Sequence, residues 1–192
     1  MWTATVTKRT LMSQPDDSDS LSYPVSATDR IQGSLDAPVI LVQYGDYLCP
    51  HCAETVEIVR SLQQQYGDRL SFVFRYFPLT QIHPQAQNAA EAAEVAAEQG
   101  QFWQMHARMF EHQSALDDGS LVEHAIALGL NMSRFLWNLS QHVYAKRVQA
   151  DLLSGVRSGV TGTPTFFLNG IRLKESWELD NLCIEIERAL NR

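Results

Sequence analysis

The residues best suited to chemistry in this sequence are two cysteines three positions apart, in the tetrad Cys49-Pro50-His51-Cys52. The tetrad follows an apolar, β-branched run at residues 39–44 and opens a segment with helical spacing. A thiol at a helix N-terminus faces free backbone N–H groups and the positive end of the helix dipole, which favour the thiolate. The spacing also lets the second thiol reach the first, so the pair can form and break a disulfide.

The residues between the two cysteines should tune them. Pro50 suits a first helical turn, and His51 adds a donor, and a positive charge when it is protonated. We therefore expect Pro50 and His51 to lower the pKa of Cys49. The alternative is a zinc half-site, but a structural zinc site usually needs a second ligand pair, and the sequence has no second C-x-x-C. We therefore predict a redox pair, with no metal and no cofactor. Cys49, at the helix tip, should be solvent-accessible and Cys52 more buried.

Composition limits the partners. The chain has 192 residues, 45% of them hydrophobic, which is globular and long enough to fold without a metal or disulfide. The net charge of -7 argues against binding to nucleic acid or to an acidic membrane surface. Apolar runs such as residues 39–42 are far shorter than the ~20 residues of a membrane span. We expect no nucleic-acid partner and no membrane association.

The N-terminal residues 1–30 are polar and without sustained periodicity, which predicts a weakly ordered arm. Lys8 and Arg9 are not followed by the apolar segment of a secretory signal peptide. The expected compartment is therefore the cytoplasm, or the periplasm if a signal has been lost.

The elements that must position the cysteines begin with a strand at residues 39–44. A helix from 49 to about 65 and a strand at 70–77 follow, and this order predicts a right-handed crossover between parallel strands. Four helical segments come next: 84 to about 103, a continuation after Gly100 through Phe110, 121–128, and a long helix that Asn131 caps and that runs to about 156.

The C-terminal part returns to β structure. Residues 165–168 and 171–173 flank Asn169-Gly170, the strongest short-range signal of a β-hairpin. A helix at 176–190 closes the chain. The predicted class is α/β, with the order β-α-β, a helical block, then β-β-α, and with both β-containing parts in one sheet.

A second motif, Gly162-Thr163-Pro164-Thr165, stands immediately before the hairpin. A proline cannot donate to a strand ladder, so it suits an edge or a turn. Only about 5–6% of X-Pro bonds are cis, so the motif alone does not predict a cis bond.

Together these features resemble the DsbA-like thiol–disulfide oxidoreductases of the thioredoxin fold, over about residues 30–190. The stretches that carry the resemblance are DAPVILVQYGDYLCPHC, HPQAQNAAEAAEVAAEQGQFWQMHARMF and GVRSGVTGTPTFFLNG. The resemblance implies a thioredoxin-like domain of residues 31–83 and 158–192 with a helical insertion at 84–157.

The resemblance also implies roles for individual residues. Cys49 would be the attacking thiolate, Cys52 the resolving thiol, and Pro164 a cis-proline packed against the pair. The backbone of Thr163 would pair with an extended substrate segment. One departure concerns the position six residues before the first cysteine, where related oxidoreductases commonly carry a buried carboxylate and this chain has Gln43. Gln43 cannot accept and return a proton, so resolution by Cys52 is expected to be slower or to use water or another group, of which Asp46 is the nearest.

The remaining candidates fit structural roles better. The histidines lack the i, i+4 pairing of a metal-binding helix and are expected to be surface or partly buried polar residues: His83, His106, His112, His124 and His142. His83 is the exception, because its loop could border Cys49. Cys183 lies among apolar residues of the last helix and is expected to be an inert thiol.

The predicted function is a monomeric enzyme that exchanges disulfides with thiols of protein or peptide substrates and is recycled by an unidentified redox partner. Stabilising the Cys49 thiolate favours the reduced state, and Gln43 removes a buried negative charge that would oppose it, so we expect an oxidant. A reductase, a disulfide isomerase, or a metal- or peptide-binding module without turnover are the alternatives. An isomerase usually needs a dimerisation domain, and 30 polar N-terminal residues are too few to build one.

Overall fold

A computed structural model describes residues 19–174 and 177–191. Its strands are β1 (Arg30–Gln32), β2 (Val39–Gly45), β3 (Leu70–Tyr76), β4 (Thr165–Leu168) and β5 (Ile171–Arg172). Its α-helices are α1 (Pro50–Tyr66), α2 (Ala86–Glu98), α3 (Phe102–Glu111), α4 (Asp118–Ala127), α5 (Met132–Ser140), α6 (Ala145–Arg157) and α7 (Leu179–Leu190), and a short 3-10 helix (Gly67–Arg69) follows α1.

The strands form one sheet in the order β1-β3-β2-β4-β5. β2 lies at its centre, parallel to β3 and antiparallel to β4, as the predicted crossover and single sheet require. At the end of β2, Tyr44 lies opposite Thr165 and Gly45 lies opposite Tyr76. The turn that leaves β2 toward α1 therefore emerges in the middle of the sheet, next to the start of β4.

Alternate residues of the central strands enter two different cores, because successive side chains point to opposite faces of a sheet. Leu41 and Phe72 belong to the larger core, which includes residues of α1, of α7 and of the helices between β3 and β4. Val42, Val73 and Phe167 belong to the smaller core on the other face, against which Leu152 of α6 packs. Helices thus cover both faces of the sheet.

The predicted long helix after Asn131 is wrong. Asn131 does cap a helix, accepting a hydrogen bond from the Arg134 N–H at 3.0 Å, but α5 ends at Ser140 and α6 starts at Ala145. The two helices are separated by a turn that includes His142, whose φ of 51° is left-handed. The imidazole of His142 lies 3.1 Å from the buried Glu91 carboxylate of α2, a tertiary contact that helical periodicity does not reveal.

Strand β1 has no counterpart among the elements that the sequence pattern predicts. It pairs antiparallel with β3 along the edge of the sheet, with Arg30 opposite Phe74, and its short polar sequence has no strand periodicity. Of the predicted arm, residues 1–18 lie outside the described residues. The Leu21 N–H donates to the Gly170 carbonyl at 2.9 Å, and Leu21 and Val25 pack on the smaller core. Residues 19–29 therefore lie against the domain instead of forming part of a weakly ordered arm.

Candidate active site

The Cys49–Cys52 pair lies where the sequence predicts it, at the junction of β2 and α1. Cys49 is the N-cap residue of α1, with an extended backbone (φ -75°, ψ 118°), and Pro50 occupies the first helical turn. The Cys49 N–H donates to the Asp46 carbonyl at 3.1 Å, which closes the turn between strand and helix. Both cysteines are free thiols.

Both thiols are more enclosed than expected. Cys52 is completely buried and Cys49 retains 5% exposure, so the expected order holds but the prediction of an accessible Cys49 is wrong. The cause is the segment before β4, which covers the helix tip. The Cys49 thiol donates to the carbonyl oxygen of Thr163 at 3.3 Å.

The two thiols differ sharply in acidity. A hydrogen bond from the Cys52 thiol makes the largest contribution to lowering the pKa of Cys49 from 9.0 to about 5, with burial opposing the shift. The Thr163 hydroxyl and the backbone N–H groups of Cys52 and His51 lower it further. The pKa of Cys52 is raised, first by its hydrogen bond to Cys49 and then by burial. The first proton of the dithiol is therefore lost from Cys49.

Residue Thr163 faces the cysteines with both its backbone and its side chain. The Thr163–Pro164 peptide bond is cis. The Thr163 hydroxyl is buried and has no hydrogen-bond partner among the described residues, so it is free to donate to the Cys49 thiolate. Pro164 lines a cavity of about 110 Å³ that Leu173 and Trp177 also border.

The exposed His51 ring differs from what its position in the tetrad indicates. Its side chain is 67% exposed and its Nδ1 lies 3.3 Å from Glu54, one helical turn further on. The His51 contribution to the pKa of Cys49 comes from its backbone N–H. The ring centroid lies 6.2 Å from that of Trp177, so the two side chains border the same rim of the site.

Gln43 is buried, with 3% exposure, and reaches Cys52 only through an intermediate hydroxyl. Its Nε2 donates to Thr55 Oγ1 at 2.9 Å, and that hydroxyl donates to the Cys52 carbonyl at 2.7 Å. Gln43 also lines a cavity of about 130 Å³ together with His106, which burial keeps neutral by lowering its pKa to about 3. The chain from Gln43 thus ends on the backbone of Cys52.

Three contacts at the turn have no counterpart in the sequence pattern. The Gln113 amide, just after α3, donates to the carbonyls of Tyr47 at 2.7 Å and Cys49 at 3.0 Å. The carboxylate of Asp46 lies 2.9 Å from Nδ1 of His83. The sequence indicates His83 as a neighbour of the site and Asp46 as a turn residue, but no spacing signal connects either of them, or Gln113, to the cysteines.

The other singled-out residues lie elsewhere. Cys183 donates to Gln65 at 3.6 Å, near the C-terminal end of α1, whereas Cys52 lies in its first turn. The expectation that the histidines are surface or partly buried fails for His106 and His124, which are both buried. Across residues 19–174 and 177–191, no helix is long and apolar enough to cross a membrane.

Comparison with known proteins agrees with this geometry. A family profile described as Thioredoxin matches residues 25–187. The crystal structure of oxidised BdbD from Bacillus subtilis superposes with a TM-score of 0.79 at 25% identity, covering 91% of this chain and all of that one (100%). The alpha-DsbA1 of Wolbachia pipientis gives a TM-score of 0.76 at 20% identity, covering 89% of this chain and 94% of that one.

The sequence relatives include the Na(+)/H(+) antiporter NhaA 3 of Salinispora tropica, which is 38% identical to this chain over 182 residues. The match covers 94% of this chain but 28% of that protein, so the chain spans about a quarter of the relative's length.

The sheet order, the cysteine pair at the tip of α1 and the structural neighbours define a DsbA-like protein of the thioredoxin fold. The match over residues 25–187 extends the resemblance through both β-containing parts and the helices between them. The chain belongs to the thioredoxin family.

Proposed function

We propose that this protein exchanges disulfides with cysteine thiols of protein or peptide substrates through Cys49 and Cys52, and that it acts as an oxidant. The observation that carries the proposal is the asymmetry of the pair. Cys49 caps α1 beneath the Thr163 carbonyl with a pKa lowered to about 5, while Cys52 is buried one turn further along the helix.

Oxidation of a substrate dithiol proceeds in two displacements. A substrate thiolate attacks the Cys49 sulfur, the Cys49–Cys52 bond breaks, and its electron pair leaves on Cys52, which takes up a proton. The second substrate thiolate then attacks the substrate sulfur of the mixed disulfide and releases the Cys49 thiolate. Two electrons pass from the substrate to the cysteine pair, and the lowered pKa of Cys49 makes it a good leaving group in the second step.

The direction of electron flow between substrate and cysteine pair follows from what stabilises the reduced state of the pair. A thiolate held by backbone N–H groups, by the Thr163 hydroxyl and by the Cys52 thiol stabilises the dithiol form relative to the disulfide. The amide of Gln43, where a carboxylate would oppose the thiolate, favours the same direction. These features support an oxidant over a reductase or an isomerase.

A substrate would dock along the backbone of Thr163 beside Pro164, as an added extended segment. The rim formed by His51 and Trp177 borders the same place. In this proposal the protein acts as a monomer, and a second redox partner restores its disulfide.

A module that binds metal or peptide without turnover is the second candidate. Within the described residues, no group of three or more histidine, cysteine, aspartate and glutamate side chains is placed to hold a metal ion. The cysteine pair would have to recruit its remaining ligands from outside the described residues.

Reduction of insulin with dithiothreitol, run beside a zinc assay on the purified protein, separates the two candidates. We expect the protein to accelerate insulin precipitation and Cys49→Ser to abolish the effect, with Cys183→Ser as a matched thiol control that retains it. Stoichiometric zinc with no acceleration would instead establish the binding module.

A further inference from the structure

Asp46 lies in the turn between β2 and α1 and contacts that turn with both its backbone and its side chain. Its carbonyl oxygen accepts a hydrogen bond from the Cys49 N–H at 3.1 Å, and its Oδ1 accepts from the Leu48 N–H at 2.8 Å. The side chain has no exposed surface. The turn that carries the cysteine pair is therefore built around Asp46.

The other carboxylate oxygen ties this turn to the loop after β3. Asp46 Oδ2 accepts from the Leu79 N–H at 2.9 Å and lies 2.9 Å from His83 Nδ1. The His83 N–H in turn donates to the Leu79 carbonyl at 2.8 Å, which closes the loop. Among the residues that the structure describes, His83 is the one side chain bonded to this buried carboxylate, which is strongly unfavourable without such partners.

The backbone of Asp46 also acts on the second cysteine, Cys52. Hydrogen bonding from the backbone of Asp46 lowers the pKa of Cys52, against the opposing effects of Cys49 and burial. In either direction of exchange, Cys52 carries developing negative charge, because its sulfur leaves as a thiolate or attacks as one. A donor held at that sulfur therefore stabilises the transition state.

We propose that His83 is a positioning residue for thiol–disulfide exchange: by donating to the Asp46 carboxylate it holds the Asp46 N–H against the Cys52 sulfur. This inference rests on the proposed function of the cysteine pair. Gln43 cannot play this part, because it is connected only to the carbonyl of Cys52. His83 touches no substrate and transfers no proton in this role.

Three substitutions at His83 isolate the hydrogen bond. His83→Leu keeps a similar volume without a donor. His83→Asn places an amide N–H where Nδ1 stands, and His83→Gln places it one bond further away. His142→Leu is the matched control, because His142 also pairs with a buried carboxylate, that of Glu91, but in the connection between α5 and α6.

Two rates are measured for each variant. The first is the rate at which glutathione reduces the oxidised protein, because Cys52 is the leaving group in that reaction. The second is the rate of iodoacetamide alkylation of Cys49 in a Cys52→Ala background, in which the sulfur of residue 52 is absent. A general loosening of the site would change both rates.

We expect His83→Leu to slow glutathione reduction about five- to tenfold, which corresponds to the net contribution of one typical hydrogen bond. Alkylation of Cys49 should change by less than about twofold. His83→Asn should restore the reduction rate, His83→Gln should not, and His142→Leu should leave both rates unchanged.

An unaltered reduction rate in His83→Leu would overturn the inference, as would an equal slowing of alkylation. If His83→Leu does not fold, the glutathione reduction rates of His83→Asn and His83→Gln are compared instead. Equal rates for these two variants would overturn the inference. Failure of the wild-type protein to exchange thiols at all would contradict the proposed function instead.

Discussion

The Cys49 thiol donates a hydrogen bond to the carbonyl oxygen of Thr163 across 3.3 Å, although the two residues are 114 positions apart. This contact joins the tip of α1 to the segment that enters β4. It encloses Cys49, since only 5% of the residue remains exposed, and it places the Thr163 hydroxyl within reach of both sulfurs. The acidity of the pair and the proposed docking of a substrate therefore depend on the same residue.

The first prediction concerns the titration of Cys49. Its pKa of about 5 lies far below the ordinary 9.0, so absorbance at 240 nm in the reduced protein should show one thiolate titrating near pH 5 and constant from about pH 6.5 to 8. Because the pKa falls on folding, its contribution to stability is complete above pH 9 and is lost as pH falls through 5. Cys49→Ser should abolish the transition, and a titration near pH 9 would contradict the assignment.

The second prediction concerns the hydroxyl of Thr163. Thr163→Val should raise the pKa of Cys49 by about one unit, because a donor to the thiolate is removed. Thr165→Val is the matched control, since the Thr165 hydroxyl donates to the Gly162 carbonyl at 2.7 Å instead. It should lower stability by about 1 kcal/mol without moving this pKa. Equal pKa shifts in the two variants would count against a direct contact.

The third prediction concerns Gln43. A buried carboxylate in Gln43→Glu should raise the pKa of Cys49 and make the couple more reducing, by about 30 mV for each pKa unit. The shift should grow with pH as the new carboxyl ionises. Gln32→Glu adds the same charge to the lining of the same cavity and should have a smaller effect. No change of potential in Gln43→Glu would mean that this position does not set the direction of exchange.

The central elements could be predicted from sequence because their signals are local. The apolar run of β2, the helical spacing of α1 and the Asn169-Gly170 turn each specify a structure within a few residues. Both turn residues adopt the positive φ that such a hairpin requires, 47° and 82°. Cys49 lies at the helix N-terminus as its position in the tetrad indicates.

What the sequence could not reveal depends on contacts between distant segments. β1 exists because β3 offers an open edge, and the turn at His142 accompanies its contact with Glu91. The pairing of Asp46 with His83 spans 37 positions and leaves no periodic trace. The burial of Cys49 likewise follows from where Thr163 meets it.

The fourth prediction is that Cys183 takes no part in exchange. It bonds to Gln65, 13 residues beyond Cys52 on the same helix, which corresponds to about 20 Å along the helix axis. Cys183→Ala should therefore leave the glutathione reduction rate within about twofold of wild type. A large loss of rate would establish a third redox centre.

The central claim, that this cysteine pair is an oxidant, is tested most directly by its reduction potential, measured by equilibration with glutathione buffers at pH 7. Stabilisation of the Cys49 thiolate predicts a potential well above the value of about -270 mV of thioredoxin, toward the value of about -120 mV of DsbA. A potential at or below about -270 mV would contradict the account and establish a reductase.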